Sequence, residues 1–375
     1  MGAKLVVVSY NTSKYVYLFR RNLIKRLLRE GYTVRVVAPY DSYTPRLLEM
    51  GCSFTPISVR VKAIDPLHDA TILFNYWRIY RRLRPGVALH YTIKPNIYGS
   101  LAARLAGVPV INNIAGLGYV FVNRSPLQPL VKKLYSAALS KAHCVFFQNR
   151  DDLRLFQKTG LVEPGRSRLI PGSGVDLRYF SPQPQRKAGP FTFLLVGRML
   201  WDKGIGEYVE AARSLKTRHP AIRFQLLGEA DADNPRAISL STIRSWTAEG
   251  WVEYLGEVED VRPCIAEADC LVLPSYREGV PHSLLEGGAM AKPLIAADAP
   301  GTREPVEDGL NGFLCRAKDP VDLARTMERM LHLGQKDRRE MGKASRQRIR
   351  KDFDEELVIA RYLSEVEAAF RARQP

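Results

Sequence analysis

A chain of 375 residues is long enough for two domains that each bury a core. Its five cysteines, at 52, 144, 264, 270 and 315, are scattered, with no CxxC pair and no His at ligand spacing. This argues against a disulfide framework or a zinc site and reads as apolar filler in a reducing cytoplasm. The net charge of +17 sits in one half. Residues 1–185 hold 27 Lys and Arg against 9 Asp and Glu, residues 186–375 hold 29 against 30, and residues 70–150 contain no acid at all. Such a field attracts nucleic acid, an anionic membrane face or phosphorylated substrates, and composition does not choose among them.

Lys4 and the short apolar run 5–9 are too brief for a signal peptide and predict a buried first strand. No later apolar stretch reaches the length that spans a bilayer, so a soluble or peripheral cytoplasmic protein is expected. A helix near 16–29, a strand at 33–38 and a helix near 44–50 follow. The rhythm continues with 88–91, 97–105, 109–113, 129–141 and 144–148. Continuous apolar strands separated by helices imply an α/β fold with a doubly wound parallel sheet covered on both faces.

Residues 181–190, with three Pro and one Gly, read as an interdomain linker, which divides the chain into domains at 1–182 and 190–354. A second series follows, with strands at 191–196, 223–227, 252–255, 270–274 and 293–296 and helices near 206–217, 238–249, 261–266 and 283–290. Two such Rossmann-like sheets in tandem are expected to face each other across a cleft at the carboxyl ends of their strands. The terminal pattern 355–375 suits either a helix that packs back on the first domain or a surface helix of the second.

Two segments of the second domain carry chemistry. Gly197 to Gly204 follows a strand and precedes a helix, and Arg198 and Lys203 place two cations at a turn where backbone can approach a phosphate. Further on, Ser275 to Met290 sets Glu278 and Glu286 eight positions apart, with Gly279, Val280 and Pro281 shaping the approach to a helix. Ser283 is expected to cap that helix and leave the amides of Leu284 and Leu285 for a diphosphate. Asp231-Ala-Asp233 reads as a solvated loop rather than a metal-binding DxD.

Gly-Arg-x4-Lys-Gly followed about 75 residues later by Glu-Gly-x-Pro-x4-Glu resembles glycosyltransferase family 4, retaining enzymes of GT-B fold. The resemblance implies that Arg198 and Lys203 grip the donor pyrophosphate, Glu278 contacts the transferred sugar and Glu286 binds the ribose. It implies no metal and no cofactor beyond the UDP-sugar donor substrate. No second carboxylate stands out as a nucleophile, so retention points to same-face attack by the acceptor.

Segments 11–20, 90–99 and 112–121 are similar to bacterial members that add N-acetylhexosamine or hexose units to undecaprenyl-diphosphate-linked saccharides, which implies a polyprenyl-diphosphate-linked acceptor and a UDP-activated donor, N-acetylgalactosamine most often. Two departures stand out: Ser9-Tyr-Asn-Thr-Ser13 replaces a common Gly pair, and Ala115 replaces a common His before Gly116. Asn11, Lys94, Asn96, Gly116 and Tyr119 are then candidates to line the acceptor or cleft side, while His90 reads as a core histidine. Phe19, Arg20, Arg21, Lys25, Trp77, Arg81 and Arg82 are expected to face an anionic inner-membrane surface. Competing readings are a sugar-nucleotide epimerase of the same fold, a silent sugar-nucleotide-binding module and a polyanion binder. No nucleic-acid motif is present.

Overall fold

The computed structural model describes residues 4–59, 65–117, 128–184, 189–230, 234 and 236–373. The chain forms two compact units, residues 1–173 with 356–375, and residues 174–355.

The first unit carries a seven-stranded parallel sheet in the order β3-β2-β1-β4-β5-β6-β7. Its strands are β1 (Leu5–Ser9), β2 (Thr33–Ala38), β3 (Ser53–Pro56), β4 (Val87–Tyr91), β5 (Val110–Ile114), β6 (Cys144–Phe147) and β7 (Ser167–Leu169). The central β4, β5 and β6 are buried throughout, as expected for strands with helices on both faces. The helices are α1 (Ser13–Arg29), α2 (Thr44–Glu49), α3 (Pro66–Leu83), α4 (Ser100–Leu105), α5 (Gln128–Leu139) and α6 (Arg150–Lys158), and a π-turn at Pro95–Gly99 leads into α4. Side-chain caps start several of them. Thr12 accepts from the Tyr15 amide ahead of α1, and Asp65 accepts from the amides of Leu67 and His68 ahead of α3, where Pro66 takes the first helical position.

The second unit has a six-stranded parallel sheet in the order β10-β9-β8-β11-β12-β13. Its strands are β8 (Thr192–Val196), β9 (Arg223–Leu227), β10 (Glu253–Tyr254), β11 (Cys270–Leu273), β12 (Leu294–Ala297) and β13 (Gly312–Cys315). Its helices are α7 (Ile205–Lys216), α8 (Leu240–Ala248), α9 (Arg262–Glu267), α10 (His282–Ala289), α11 (Pro320–His332) and α12 (Gln335–Asp352), and α13 (Glu355–Arg371) ends the chain.

In both sheets the order reverses at one place, between β1 and β4 in the first and between β8 and β11 in the second. Crossovers leave such a point in opposite directions, and the crevice this opens at the carboxyl ends of the two strands is where open α/β sheets hold ligands.

The domain boundary differs from the expected one. The first unit ends at residue 173, and the described residues 181–184 and 189–190 of the Pro-rich stretch fall in the second, because Val175 and Phe180 are already buried in that unit's core. The chain enters and leaves the second unit along paired backbone: the Val175 amide donates to Phe353 O at 3.0 Å and the Glu355 amide to Val175 O at 3.2 Å. Gly174, at φ +72°, sits so close that a Cβ there would lie 2.4 Å from Glu355 Cα. α13 then packs in the first unit, with Val358, Ile359, Tyr362, Leu363, Val366 and Ala369 in its core. The Asn113 side-chain amide donates to Tyr362 OH at 2.6 Å.

All five cysteines are free and all but Cys264 are buried. Among the described residues no helix is long and apolar enough to cross a membrane.

Candidate active site

At the reversal point of the second unit, two loops are bound to each other by backbone. β8 runs into Gly197, whose amide continues the sheet to Leu227 O at 2.9 Å, and the chain then makes one tight turn, 201–203, before α7. The turn ends on Gly204 at φ +72°, where an added Cβ would meet Pro274 O at 2.3 Å. Only glycine lets the Lys203 turn lie against the end of β11. Across this contact the Tyr276 amide donates to Asp202 O at 3.0 Å, and Ser275 Oγ lies 3.1 Å from the same oxygen.

The consequence is that Lys203 and Glu278, 75 residues apart, converge. Lys203 Nζ donates to Glu278 Oε1 at 2.5 Å, and Ser275 Oγ donates to the same oxygen at 2.6 Å. Both side chains are mostly buried, at 21% and 16% exposure, so the pair is well screened from water. Behind Glu278 the loop is fixed by its amide, which donates to Pro300 O at 3.0 Å, and by Gly301, where a Cβ would fall 2.0 Å from Glu278 O. Arg198 is exposed and its side chain is unpaired among the described residues, so a guanidinium stands in solvent one residue past Gly197.

Glu286 lies one turn into α10. His282 at the start of that helix reaches it, with Nδ1 and Glu286 Oε1 2.8 Å apart. The expected cap is corrected here. The cap position is Pro281, at φ −72° and ψ 117°, and Ser283 lies inside the first turn without capping it. The Leu285 amide donates to Pro281 O at 3.3 Å, so it belongs to the helix and is not offered to a phosphate. The amides of Ser283 and Leu284 precede that first intrahelical bond and keep the orientation that suits an anion. Pro281 displaces the cap because its extended backbone already supplies the entry angle and the first acceptor.

In the first unit the neighbouring strands β1 and β4 mark the other reversal point. Asn11 follows β1, and its Oδ1 is buried without a partner among the described residues. Lys94 follows β4 and pairs with Asp69 of α3 at 2.8 Å, and Tyr98 OH donates to the other oxygen of Asp69 at 2.8 Å. Thr92 between them holds φ +66°, a strained angle for a β-branched residue. Gly116 sits at φ +127° and Tyr119 lies outside the described residues. Asn96 is corrected: it is 1% exposed, its Nδ2 donates to Asn113 O at 2.8 Å, and its Oδ1 accepts from Asn112 at 3.0 Å, so it braces the core and does not line a ligand surface.

His90 is a core histidine, as expected. It is fully buried between Tyr80 OH at 2.6 Å and Ser100 Oγ at 3.0 Å, and burial pulls its pKa down to about 3.

Of the basic and aromatic residues expected at a membrane, Lys25, Arg81 and Arg82 are exposed, and Phe19, Arg21 and Trp77 are half-buried. Arg20 is corrected. It is 2% exposed, its guanidinium lies 4.4 Å from the Tyr91 ring and 5.9 Å from Tyr362, and Nη2 donates to Ser173 Oγ at 3.0 Å. It falls on the core face of α1 with Val16, Leu23 and Leu27, and aromatic faces take the place of water around its charge. Asp231 to Asp233 lie outside the described residues.

Sequence reasoning missed Ser275, which orients Glu278, and His282, which orients Glu286. Their spacings of three and four residues before the glutamates were the available signal. It also missed Gly228, at φ +141°, where a Cβ would lie 2.1 Å from Gly197 O. That contact is between strand ends and has no local signature.

The "Glycosyl transferases group 1" family matches residues 190–332 and the "Glycosyl transferase 4-like" family matches residues 6–149. EpsD of Bacillus subtilis strain 168, named as a glycosyltransferase, is 30% identical over 80% of this chain and 81% of its own length. The N,N'-diacetylbacillosaminyl-diphospho-undecaprenol alpha-1,3-N-acetylgalactosaminyltransferase of Campylobacter jejuni is 28% identical over 93% of this chain and 94% of its own. HepE of Anabaena, solved in complex with UDP, superposes with a TM-score of 0.77 at 18% identity over 98% of this chain and 100% of that one, which establishes the shared GT-B fold. With both sheets, the order reversal in each and the paired Lys203 and Glu278 accounted for, the chain belongs to glycosyltransferase family 4, the group 1 glycosyl transferases of GT-B fold.

Proposed function

We propose that this glycosyltransferase moves an N-acetylhexosamine, such as N-acetylgalactosamine, from a UDP-sugar to a polyprenyl-diphosphate-linked saccharide. The reaction belongs to bacterial glycan assembly of the O-antigen, capsule or glycoprotein kind and runs on the cytoplasmic face of the inner membrane. The observation that carries the reading is the convergence of Lys203 and Glu278 at the reversal point of the second sheet, with Arg198 and the start of α10 on the same edge. The lipid-linked substrate named for the Campylobacter relative supports the acceptor class.

Lys203 and Arg198 neutralise the charge that grows on the departing UDP, with the amides of Ser283 and Leu284 as dipoles. Glu278 holds the sugar and Glu286 the ribose hydroxyls. Gly197, Gly279, Val280 and Pro281 shape the donor floor. The acceptor hydroxyl attacks the anomeric carbon on the face that UDP leaves, its proton passing to the departing phosphate oxygen, so the configuration is retained. The cations take the charge-stabilising part that a metal plays elsewhere, and transfer is independent of added metal.

The test incubates a panel of UDP-sugars with a polyprenyl-diphosphate-linked sugar and reads the product by mass and its anomeric configuration by NMR. Addition of one sugar with retention, unaffected by a chelator, is expected. UDP-sugar conversion without acceptor would assign an epimerase instead, and abolition by the chelator would refute metal independence.

A further inference from the structure

The edge of the second sheet opposite the Lys203 site carries a second group of chemically capable side chains. α7 begins at the carboxyl end of β8 and runs back along the sheet, so the chain just past it, with Arg218 and His219, reaches the amino edge. α11 follows β13 in the same sense and packs against α7, so its last turns, with Glu328 and His332, reach that edge too.

There one nitrogen of His219, one carboxylate oxygen of Glu328 and one nitrogen of His332 all lie within 4.8 Å of one another. Glu328 and His332 are four residues apart on α11 and therefore share a face. His219 Nε2 and Glu328 Oε1 are 3.4 Å apart, and the two imidazole rings stand 6.2 Å apart at 75°. Bonds of roughly 2.1 Å at tetrahedral angles put ligand atoms about 3.4 Å apart, so His219 and Glu328 already hold that spacing. The nitrogen of the exposed His332 lies within 4.8 Å of both, and it is the side chain that would have to turn inward to complete the set.

We propose that His219, Glu328 and His332 form a site for a borderline divalent transition cation, with Zn2+ as the type case, three protein ligands and an outward fourth position. Two imidazoles with one carboxylate suit Zn2+, Ni2+ or Cu2+ and not Mg2+ or Ca2+, which take all-oxygen sets. The bound ion ties the end of α7 to the end of α11 and stabilises the second unit, at the edge away from the transfer chemistry. Arg218 is its built-in competitor, because its guanidinium bonds the same Glu328 oxygen.

Isothermal titration of ZnCl2 into the tag-free, chelator-treated full chain tests this. One saturable ion per chain is expected, with a raised Tm and no binding of Mg2+. His219→Ala and His332→Ala should each weaken binding by about tenfold to a hundredfold or more, since loss of an outer-shell partner alone has that effect. Both side chains are outside the core, so the circular dichroism of these variants should match the parent. Arg218→Ala should bind Zn2+ several-fold tighter, an outcome that a generic surface or thiol site does not produce. Absence of saturable Zn2+ binding, or binding undiminished in both His variants, would overturn the proposal. A transfer rate that falls when this ion is removed would overturn its placement away from the chemistry.

Discussion

At the scale of single residues, the proposed transfer site depends on charges placed to within hydrogen-bond distance. On the proposed mechanism Lys203→Ala and Arg198→Ala each remove a cation from the leaving-group side, and Glu278→Ala removes the group that Lys203 and Ser275 hold. Each is expected to lower kcat by about 10²–10³ with an unchanged circular dichroism spectrum. Turnover at the parent rate in any one of them would remove that residue from the chemistry. His90 makes a separate prediction about pH. Its folded pKa of about 3 lies below the unfolded value near 6.5, so between these values the unfolded chain holds one proton more. The stability it contributes is complete above about pH 6.5 and is lost progressively as the pH falls toward 3. Denaturant titrations across that window should show a shallower pH slope for His90→Asn than for the parent chain, and equal slopes would contradict the neutral buried imidazole.

At the scale of elements, the positions that matter are where backbones touch. Gly204 combines a left-handed φ with a Cβ position inside Pro274 O, so Gly204→Ala meets both strain and collision. It should lower the unfolding free energy by about 1–3 kcal/mol and reduce transfer by separating Lys203 from Glu278, measured by denaturant titration beside initial rates. α13 is the other decisive element. Tyr362 is fully buried beside Phe146 at 4.7 Å and accepts from Asn113, so Tyr362→Ala should destabilise the first unit by about 3–5 kcal/mol. A change within 0.5 kcal/mol would mean that α13 is not part of that core.

At the scale of the whole molecule, the charge asymmetry is the main feature. The positive half is the half with Lys25, Arg81 and Arg82 exposed, and Phe74 and Leu67 on α3 are exposed apolar neighbours at 53% and 83%. Partition into anionic liposomes is expected to fall steeply as salt is raised, because exposed charges are screened within roughly 10 Å at 0.1 M. Binding that ignores salt or lipid charge would refute an electrostatic membrane face. Arg20 is buried, so its replacement should be read in stability rather than in liposome binding.

Much of the architecture was legible in the sequence because it is local. The continuous apolar runs of β1, β8 and β11 and the glycine-bounded turn after Val196 are patterns over a few residues, and they located both sheets and singled out Arg198, Lys203, Glu278 and Glu286 as candidates, of which the structure brings Lys203 and Glu278 together. Short edge strands β3, β7 and β13, of three or four residues, carry too little periodicity to be seen. α12 buries Met341, Gly342, Ser345 and Ile349 on one face, a stripe with too few large apolar residues to stand out in the sequence, and Arg346 adds bonds to Phe180 O and Leu177 O. α3 was hidden by apolar residues on its exposed face.

What only the tertiary structure decided is long-range. Lys203 meets Glu278 because two strands distant in sequence are neighbours in the sheet. Arg20 and Asn96 look polar and available in the sequence, yet they are buried by partners far along the chain, at Tyr362 and at Asn112 and Asn113. The boundary moved from 182 to 173 because Phe180 finds its core in the second unit, and α13 returned to the first because its apolar face completes that core. The chain's own pattern determined which segments form and which residues carry charge, since these depend on neighbours within a turn or a strand. Which charges meet, and which are removed from water, depended on closure of the sheets, since burial belongs to surfaces brought together from distant segments.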